Sequence, residues 1–278
     1  MSVIAMLGDN PAAIPMQMKT AIRIAKRMQT TLHGLTVMPD PATAYVYTPG
    51  ADVVFMGTKA IEAITEGQNN ARKAIKAEFD KAAKEAGNWL RTEYQDVTGS
   101  VAHRAAGAAM LSQALVFPKD ASKSVHTLNL GFEHALMEAR LPLVLASSID
   151  HDDETCIIAW DGSAQSARAV RMHMPLIRGY KRIFIAQKPQ NLQQVNKVSG
   201  ATEPAKLKAY LDRYEVGSEI IALKGHISES LIEAADTHGA GLIVMGAYGH
   251  NRLGQMIFGG TTRAMLNAPD APAIALMH

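Results

Sequence analysis

The sequence predicts an α/β fold of two tandem domains, each a doubly wound, mostly parallel five-stranded sheet flanked by helices. Short apolar runs alternate with amphipathic segments along the whole chain, an order typical of parallel strands with crossover helices. The 278 residues fit two ordinary domains better than one. The order of elements repeats, and each half ends in a proline followed by an apolar run, which indicates an internal duplication.

In the first half, the apolar pattern predicts nine elements in alternation. Met18, Ile22 and Ala25, for example, share one face of a helix. An extra segment, Pro39–Gly67, has three open interpretations: a flap over a ligand site, an interface element, or packing for the other domain. The predicted strands are Val3–Leu7, Thr31–Met38, Tyr94–Val97, Leu115–Phe117 and Leu143–Leu145, and the helices are Gln17–Met28, Glu62–Gly87, Gly107–Gln113 and Gly131–Ala139.

The second half repeats this order. Ser163 is a plausible N-cap for its first helix, which Pro175 should kink or end. The acidic stretch Ser147–Glu154 is the expected linker, so we place the domains at residues 1–148 and 149–278. The strands are expected at Thr155–Asp161, Arg182–Ala186, Ser218–Leu223, Leu242–Met245 and Ala273–Leu276, and later helices at Glu203–Tyr214, Ser228–Thr237 and Thr261–Asn267.

Composition narrows the class of protein. Hydrophobic residues make up 47% and charged residues 19%, a globular balance. The formal net charge of +2 gives no sign of a nucleic-acid partner. No apolar stretch approaches the ~20 residues of a membrane span, and the N-terminus has no signal-peptide pattern, so we expect a soluble cytoplasmic protein. The single cysteine, Cys156, lies in an apolar run and is interpreted as a core thiol.

Known catalytic and metal-binding motifs are missing from the sequence. It contains no His-Glu-x-x-His, no cysteine cluster and no Gly-x-Ser-x-Gly. Histidines in the first half, such as His33, His103, His126 and His134, give no spacing that predicts a metal site. We therefore expect no catalytic residues and no protein-bound metal.

The segment after Leu242–Met245 is the most informative for function. Gly246 and Gly249 follow the predicted strand at its carboxyl end, where open α/β sheets bind ligands. Glycines allow close approach of the backbone, and a helix N-terminus favours phosphate. The alternative is that the glycines only form turns and helix ends. The helix is expected to open with Gly259, Gly260, Thr261 and Thr262.

This segment resembles the nucleotide-binding members of the universal stress protein family, which carry Gly-x2-Gly-x9-Gly-Ser/Thr here. Gly246, Gly249 and Gly259 match that pattern, whereas Gly260 occupies the Ser/Thr position. Asp161 at the end of the first strand of this half also matches. The resemblance covers the second half and, more weakly, the first. It implies the adenine nucleotide alpha hydrolase-like fold.

The resemblance implies a role for each matching residue. Asp161 would lie beside the adenine or ribose and Gly246 would contact the ribose. No valine stands near Ala186–Lys188, where the family has its adenine-side valine. Each assignment has an alternative. Asp161 could instead cap the following helix, and His250 could be an exposed loop histidine. Tyr248 could cover apolar surface. The phosphates would be surrounded by Gly249, His250, Gly259, Gly260, Thr261 and Thr262.

The first half lacks the glycine loop, because Pro118–Ser124 follows its fourth strand. Asp9 is expected to match Asp161. We interpret this domain as degenerate, with an alternative anion site at Lys119, Ser122, Lys123 and Ser124.

These expectations lead to a stress-response sensor or regulator that binds ATP in its second domain, with Mg²⁺ possible on the phosphates. The family's last strands pair antiparallel between subunits, so the halves resemble a fused dimer, and two chains are expected to pair into a four-domain homodimer. The alternatives are a nucleotide-free interaction protein and a slow ATP hydrolase.

Overall fold

The computed structural model describes residues 2–43, 45–46, 54–55, 58–147, 154–192, 203–248 and 260–278. In the first half the strands are β1 (Ser2–Leu7), β2 (Thr31–Met38), β3 (Tyr45–Val46), β4 (Val54–Phe55), β5 (Thr92–Thr98), β6 (Ala114–Phe117) and β7 (Leu143–Leu145). Its helices are α1 (Ile14–Arg27), α2 (Thr58–Ala86), α3 (Val101–Ala109) and α4 (Asn129–Glu133), and a π-helical turn at His134–Glu138 continues α4.

The second half has the same order of elements. Its strands are β8 (Thr155–Ala159), β9 (Arg182–Gln187), β10 (Glu219–Ala222), β11 (Ala240–Gly246) and β12 (Ala273–Met277). Its helices are α5 (Ala164–Met172), α6 (Met174–Ile177), α7 (Pro204–Asp212), α8 (Ile227–His238) and α9 (Gly260–Asn267). Pro175 lies in the first turn of α6, where its missing N–H costs no hydrogen bond, and it marks the predicted break after α5.

Ten strands form one sheet in the order β10-β9-β8-β11-β12-β7-β6-β1-β2-β5. Each half contributes five strands that pair in parallel among themselves. The α/β class and the two mostly parallel sheets are therefore confirmed. The domain boundary at 148/149 lies outside the described residues. Of the extra segment Pro39–Gly67, the structure describes a 3-10 turn at Pro41–Thr43, the antiparallel β3–β4 pair and the start of α2, and residues 44, 47–53 and 56–57 lie outside the described residues.

The two five-stranded sheets meet where β7 and β12 pair antiparallel. Val144 lies opposite Ala275, Leu145 opposite Ile274 and Leu143 opposite Leu276, so an approximate two-fold axis passes beside Val144. All these side chains are buried. The halves are thus fused as the resemblance implied, through the last strand of each.

Helices cover both faces of this sheet. On one face, α1 and α2 of the first half and α5, α6 and α7 of the second pack in a common apolar cluster. On the other face, α3, α4, α8 and α9 do the same. Gly34 on β2 makes room for α2, since a Cβ there would lie 2.6 Å from the ring of Phe79. Cys156 is buried in β8, as predicted.

The two halves also touch through side chains beside the β7–β12 junction. The guanidinium of Arg27, at the end of α1, donates to the carbonyl of Gly179 at 2.7 Å and lies 4.0 Å from the centre of the Tyr180 ring. His173, between α5 and α6, is fully buried. Its Nε2 lies 3.3 Å from the carbonyl oxygen of Leu143 on β7, and its Nδ1 lies 3.0 Å from that of Ala169.

One predicted helix was wrong in position. The apolar residues near Met110 predicted a helix at Gly107–Gln113, but α3 occupies Val101–Ala109. Met110 and Leu111 are 73% and 93% exposed, so these apolar side chains do not mark a buried face. The residues that α3 buries are the small ones, Ala105 and Ala109, which pack against the sheet.

Candidate functional site

A cleft opens in the second half at the carboxyl ends of β8, β9 and β11, the edge at which α/β sheets bind ligands. We call it the C-terminal cleft. Its described part has a volume of about 150 Å³. Its lining contains both polar and apolar residues. The polar part consists of Asp161, Ser166, Lys188, Asn191, Gly246, Gly260, Thr261 and Thr262.

Asp161 lies in the turn that leads into α5. Its Oδ1 accepts a hydrogen bond from the backbone N–H of Ser163 at 2.9 Å. Ser163 is the N-cap, because its hydroxyl accepts from the N–H of Ser166 at 3.1 Å. Asp161 therefore fixes the turn without itself capping the helix, and its carboxylate also lines the cleft.

Gly246 ends β11 against the first turn of α5. A Cβ at this position would lie 2.6 Å from the backbone nitrogen of Ser166 and 2.7 Å from the carbonyl carbon of Gln165. Both are backbone atoms, which cannot turn away as the end of a flexible side chain can. Glycine is therefore required here for close packing of β11 on α5, and it leaves the backbone of the strand end open to the cleft.

The N-terminus of α9 forms another part of the cleft wall. No atom of the described residues lies within 4 Å of a Cβ placed on Gly260, so a serine or threonine would fit against them. The hydroxyl of Thr262 is turned inward and lies 3.5 Å from the backbone N–H of Tyr248, which donates to it. Of the predicted residues, Asp161, Gly246, Gly260, Thr261 and Thr262 come together in the cleft. The other three, Gly249, His250 and Gly259, lie outside the described residues.

Tyr248 does not line the described part of the cleft, so the structure favours the interpretation that it covers apolar surface. It packs against the cluster on the α3, α4, α8 and α9 face. Burial raises the pKa of its phenol well above 10, with the carboxylate of Glu133 as a further cause. Because Glu133 belongs to α4, Tyr248 lies where the second half meets the first.

The sequence analysis gave no site role to several residues that line the cleft, Trp160 and Lys188 among them. Trp160 directly follows β8 and Lys188 directly follows β9. The ammonium of Lys188 donates to the carbonyl of Gly225 at 2.7 Å. Their position after strand ends was the available signal, as it was for Asp161. The apolar part of the lining consists of Ala186, Leu223, Ile227, Leu231 and Met245.

The equivalent edge of the first half is built differently. Leu7 and Trp160 pack into the same face of the sheet, so Gly8, not Asp9, stands in the strand position of Asp161. The expected match of Asp9 with Asp161 is thus displaced by one residue. Ala114 pairs with Val3 as Leu242 pairs with Cys156, and four residues later the first half has Pro118 where the second has Gly246. The glycine contact with the first helix is therefore lost.

The alternative anion site of the first half is not supported by the structure. Lys119 and Lys123 line a groove with Asp120 and the C-terminal end of α9, not the strand-end cleft. Burial lowers the pKa of Lys119 to about 8. Its ammonium nitrogen is enclosed and has no hydrogen-bond partner among the described residues. The negative end of the α9 dipole would also oppose an anion.

The described residues contain no group of three histidine, cysteine, aspartate or glutamate side chains that could hold a metal ion. The histidines of the first half have other neighbours. His33 lies 3.7 Å from Glu93, and His126 lies 3.4 Å from Asp120. Within the same residues, no helix is long and apolar enough to cross a membrane.

The fold and the cleft define a tandem α/β protein with one glycine-lined site at the sheet edge of its second half. Residues 154–275 match the family model described as Universal stress protein family. Residues 154–275 are therefore a universal stress protein domain, and the first half repeats the fold of that domain.

Solved structures of low sequence identity share the whole fold. A universal stress protein from Archaeoglobus fulgidus DSM 4304 superposes with a TM-score of 0.65 at 12% identity, covering 99% of this chain and 97% of that one. A putative universal stress protein from Pseudomonas aeruginosa UCBPP-PA14 gives a TM-score of 0.53 at 12% identity, covering 99% and 92%. A search of curated sequences found no significant match.

Proposed function

We propose that the C-terminal cleft binds ATP and that the protein is a cytoplasmic stress-response regulator that responds to this nucleotide. The observation that carries the proposal is the convergence of Asp161, Gly246 and the Gly260–Thr262 turn on one cleft at the strand ends. The resemblance assigns each of these residues a nucleotide contact, and they come from three separate parts of the chain.

The chemistry of the donors suits a nucleotide. The first turn of α9 supplies backbone N–H groups and the positive end of a helix dipole, which favour phosphate. Asp161 offers a carboxylate for ribose hydroxyls, and the wall of Leu223, Ile227 and Leu231 offers an apolar surface for a base. Mg²⁺ would then accompany the phosphates, since no three-residue metal cluster exists among the described side chains.

We expect a binding protein, with at most slow hydrolysis of ATP. Phosphoryl transfer requires a group that orients the attacking water. Among the described residues that line the cleft, Asp161 is the only carboxylate, and it is already held by the N–H of Ser163. Release of phosphate at ordinary enzymatic rates would contradict this part of the proposal.

Calorimetric titration with ATP and Mg²⁺ tests the central claim. Asp161→Asn removes a charged acceptor, and we expect about a tenfold loss of affinity or more, because hydrogen bonds to charged groups contribute about 1.5–3 kcal/mol. Asp236→Asn is the matched control: it makes the same change on the exposed side of α8, outside the cleft lining. Absence of binding by the wild type at millimolar ATP would refute the proposal and favour a nucleotide-free interaction protein.

We further propose that two chains associate into a four-domain homodimer. Strands β7 and β12 already pair with each other within the chain, so two chains would have to associate through other surfaces. The outer strands of the ten-stranded sheet, β5 and β10, take no part in the pairing of the two halves. Light scattering after size-exclusion chromatography measures the mass directly. A mass of about one chain at all protein concentrations would rule the dimer out.

A further inference from the structure

The first half has its own cleft at the carboxyl ends of β1 and β2, which we call the N-terminal cleft. Its volume of about 610 Å³ lies within the range of small-molecule sites and exceeds the described part of the C-terminal cleft. The first turn of α3 and one side of α2 form its walls. The apolar lining consists of Leu7, Val37, Met38, Ala71 and Val101.

The polar side chains of this cleft already have partners in the protein. The hydroxyl of Thr36 accepts from the Tyr94 hydroxyl at 3.0 Å. The amide nitrogen of Gln68 donates to the carbonyl of Pro39 at 3.0 Å. An apolar ligand can cover Thr36 and Gln68 without breaking these two hydrogen bonds, which lowers the desolvation cost of filling the cleft.

Asp9 is the one charged residue among those that line the described cleft. Its Oδ1 accepts from the hydroxyl of Thr127 at 3.0 Å, which holds the carboxylate at the mouth. No lysine or arginine belongs to the lining to balance a phosphate. The carboxylate therefore repels anions and attracts a hydrogen-bond donor, whereas the C-terminal cleft has Lys188 in its lining beside its own carboxylate, Asp161.

We propose that the N-terminal cleft binds a small neutral molecule with an aromatic or branched aliphatic body and an N–H or O–H group that donates to Asp9. The body lies against Leu7, Val37 and Val101, and the donor group lies at the mouth. With ATP proposed for the C-terminal cleft, the two halves of the chain then bind ligands of different chemical class at equivalent edges of one sheet.

Two fluorescent probes with the same ring system test the charge preference. N-phenyl-1-naphthylamine is neutral and has one N–H, and its 8-sulfonate is an anion of the same shape. We expect the neutral probe to bind one site per chain, at least about tenfold more tightly than the sulfonate, since a like charge near Asp9 costs about 1.4 kcal/mol or more. Tighter binding of the sulfonate would overturn the proposal.

Two matched substitutions locate the site. Val101 and Ile227 are the first residues of α3 and α8, and each lines the cleft of its own half. Val101→Trp should weaken the neutral probe by about tenfold or more and leave ATP titration unchanged, whereas Ile227→Trp should do the reverse. If only Ile227→Trp abolished binding of the neutral probe, the N-terminal site would be refuted, and the proposed ATP site would remain.

Asp9→Lys provides a variant at an exposed position in case Val101→Trp does not fold. Reversal of this charge should shift the ratio of the two affinities toward the sulfonate by about tenfold or more, because the lysine attracts the group that the aspartate repels. An unchanged ratio would show that Asp9 does not face the bound probe, and the proposal would fail.

Discussion

His173 makes the stability of the fused sheet depend on pH. The ring is fully buried beside the β7–β12 junction, and both of its nitrogens lie near backbone carbonyl oxygens. Burial lowers the pKa of His173 from 6.5 to about 4, and the two carbonyls only partly oppose this shift. The ring is therefore neutral in the folded protein at pH 7 and donates to one carbonyl at a time.

The sign of the effect follows from this depressed pKa. The unfolded chain takes up the proton near pH 6.5, whereas the folded chain does so only near pH 4. The contribution of His173 to the free energy of unfolding is complete above pH 6.5 and is lost as the pH falls toward 4. The difference between the two pKa values corresponds to about 3 kcal/mol.

Urea denaturation of the wild type and of His173→Gln at a series of pH values between about 4 and 7 measures this contribution. Glutamine keeps a donor but does not titrate, so its loss of stability on acidification should be smaller by up to about 3 kcal/mol. His226→Gln, at an exposed position, is the control and should follow the wild type. The same carboxylates are present in all three proteins, so their titration does not contribute to the difference between the stability curves. Parallel curves for wild type and His173→Gln would refute the reasoning.

Three further predictions concern other parts of the molecule. Gly246→Ala forces Cβ to within 2.6 Å of the Ser166 nitrogen and should lower the free energy of unfolding by about 1–3 kcal/mol, whereas Gly107→Ala, which meets nothing within 4 Å, should raise it by up to about 1 kcal/mol. Equal effects in urea denaturation would contradict this. Gly260→Ser adds a hydroxyl and should tighten ATP binding severalfold by calorimetry; weaker binding would count against the site. A fragment of residues 154–278 should dimerise through β12, and a monomer by light scattering would contradict that.

Most of the fold was predictable from hydrophobic periodicity and punctuation. The strands Thr31–Met38 and Leu143–Leu145 have the predicted bounds, because Pro39 follows the first strand and Pro142 precedes the second. The helix predicted at Gly107–Gln113 was misplaced because Met110 and Leu111 are apolar yet exposed. Periodicity records which residues are apolar, and only packing decides which of them are covered.

The candidate site was predictable in part. A glycine pattern along the chain pointed to Gly246 and Gly260, and a residue at a strand end pointed to Asp161. Trp160 and Lys188 also follow strands, but no spacing relates them to the glycine loop. The closeness of such residues depends on sheet order, and that order is a property of the folded chain. The exchange of Gly246 for Pro118 was already indicated by the residues that follow the fourth strand of each half, and the strand register confirms it.

The antiparallel pairing of β7 with β12 gives each half a permanent neighbour. A separate domain with such an edge would find its partner at a rate and to an extent set by concentration, and would release it on dilution. Here the neighbour is always present, so the junction persists in a cell that contains only a few copies. Because the partner strand belongs to the same chain, the edge of each half need not be complementary to a second copy of itself. One half can change its ligand edge while the other keeps the glycines, and the sheet between them stays closed.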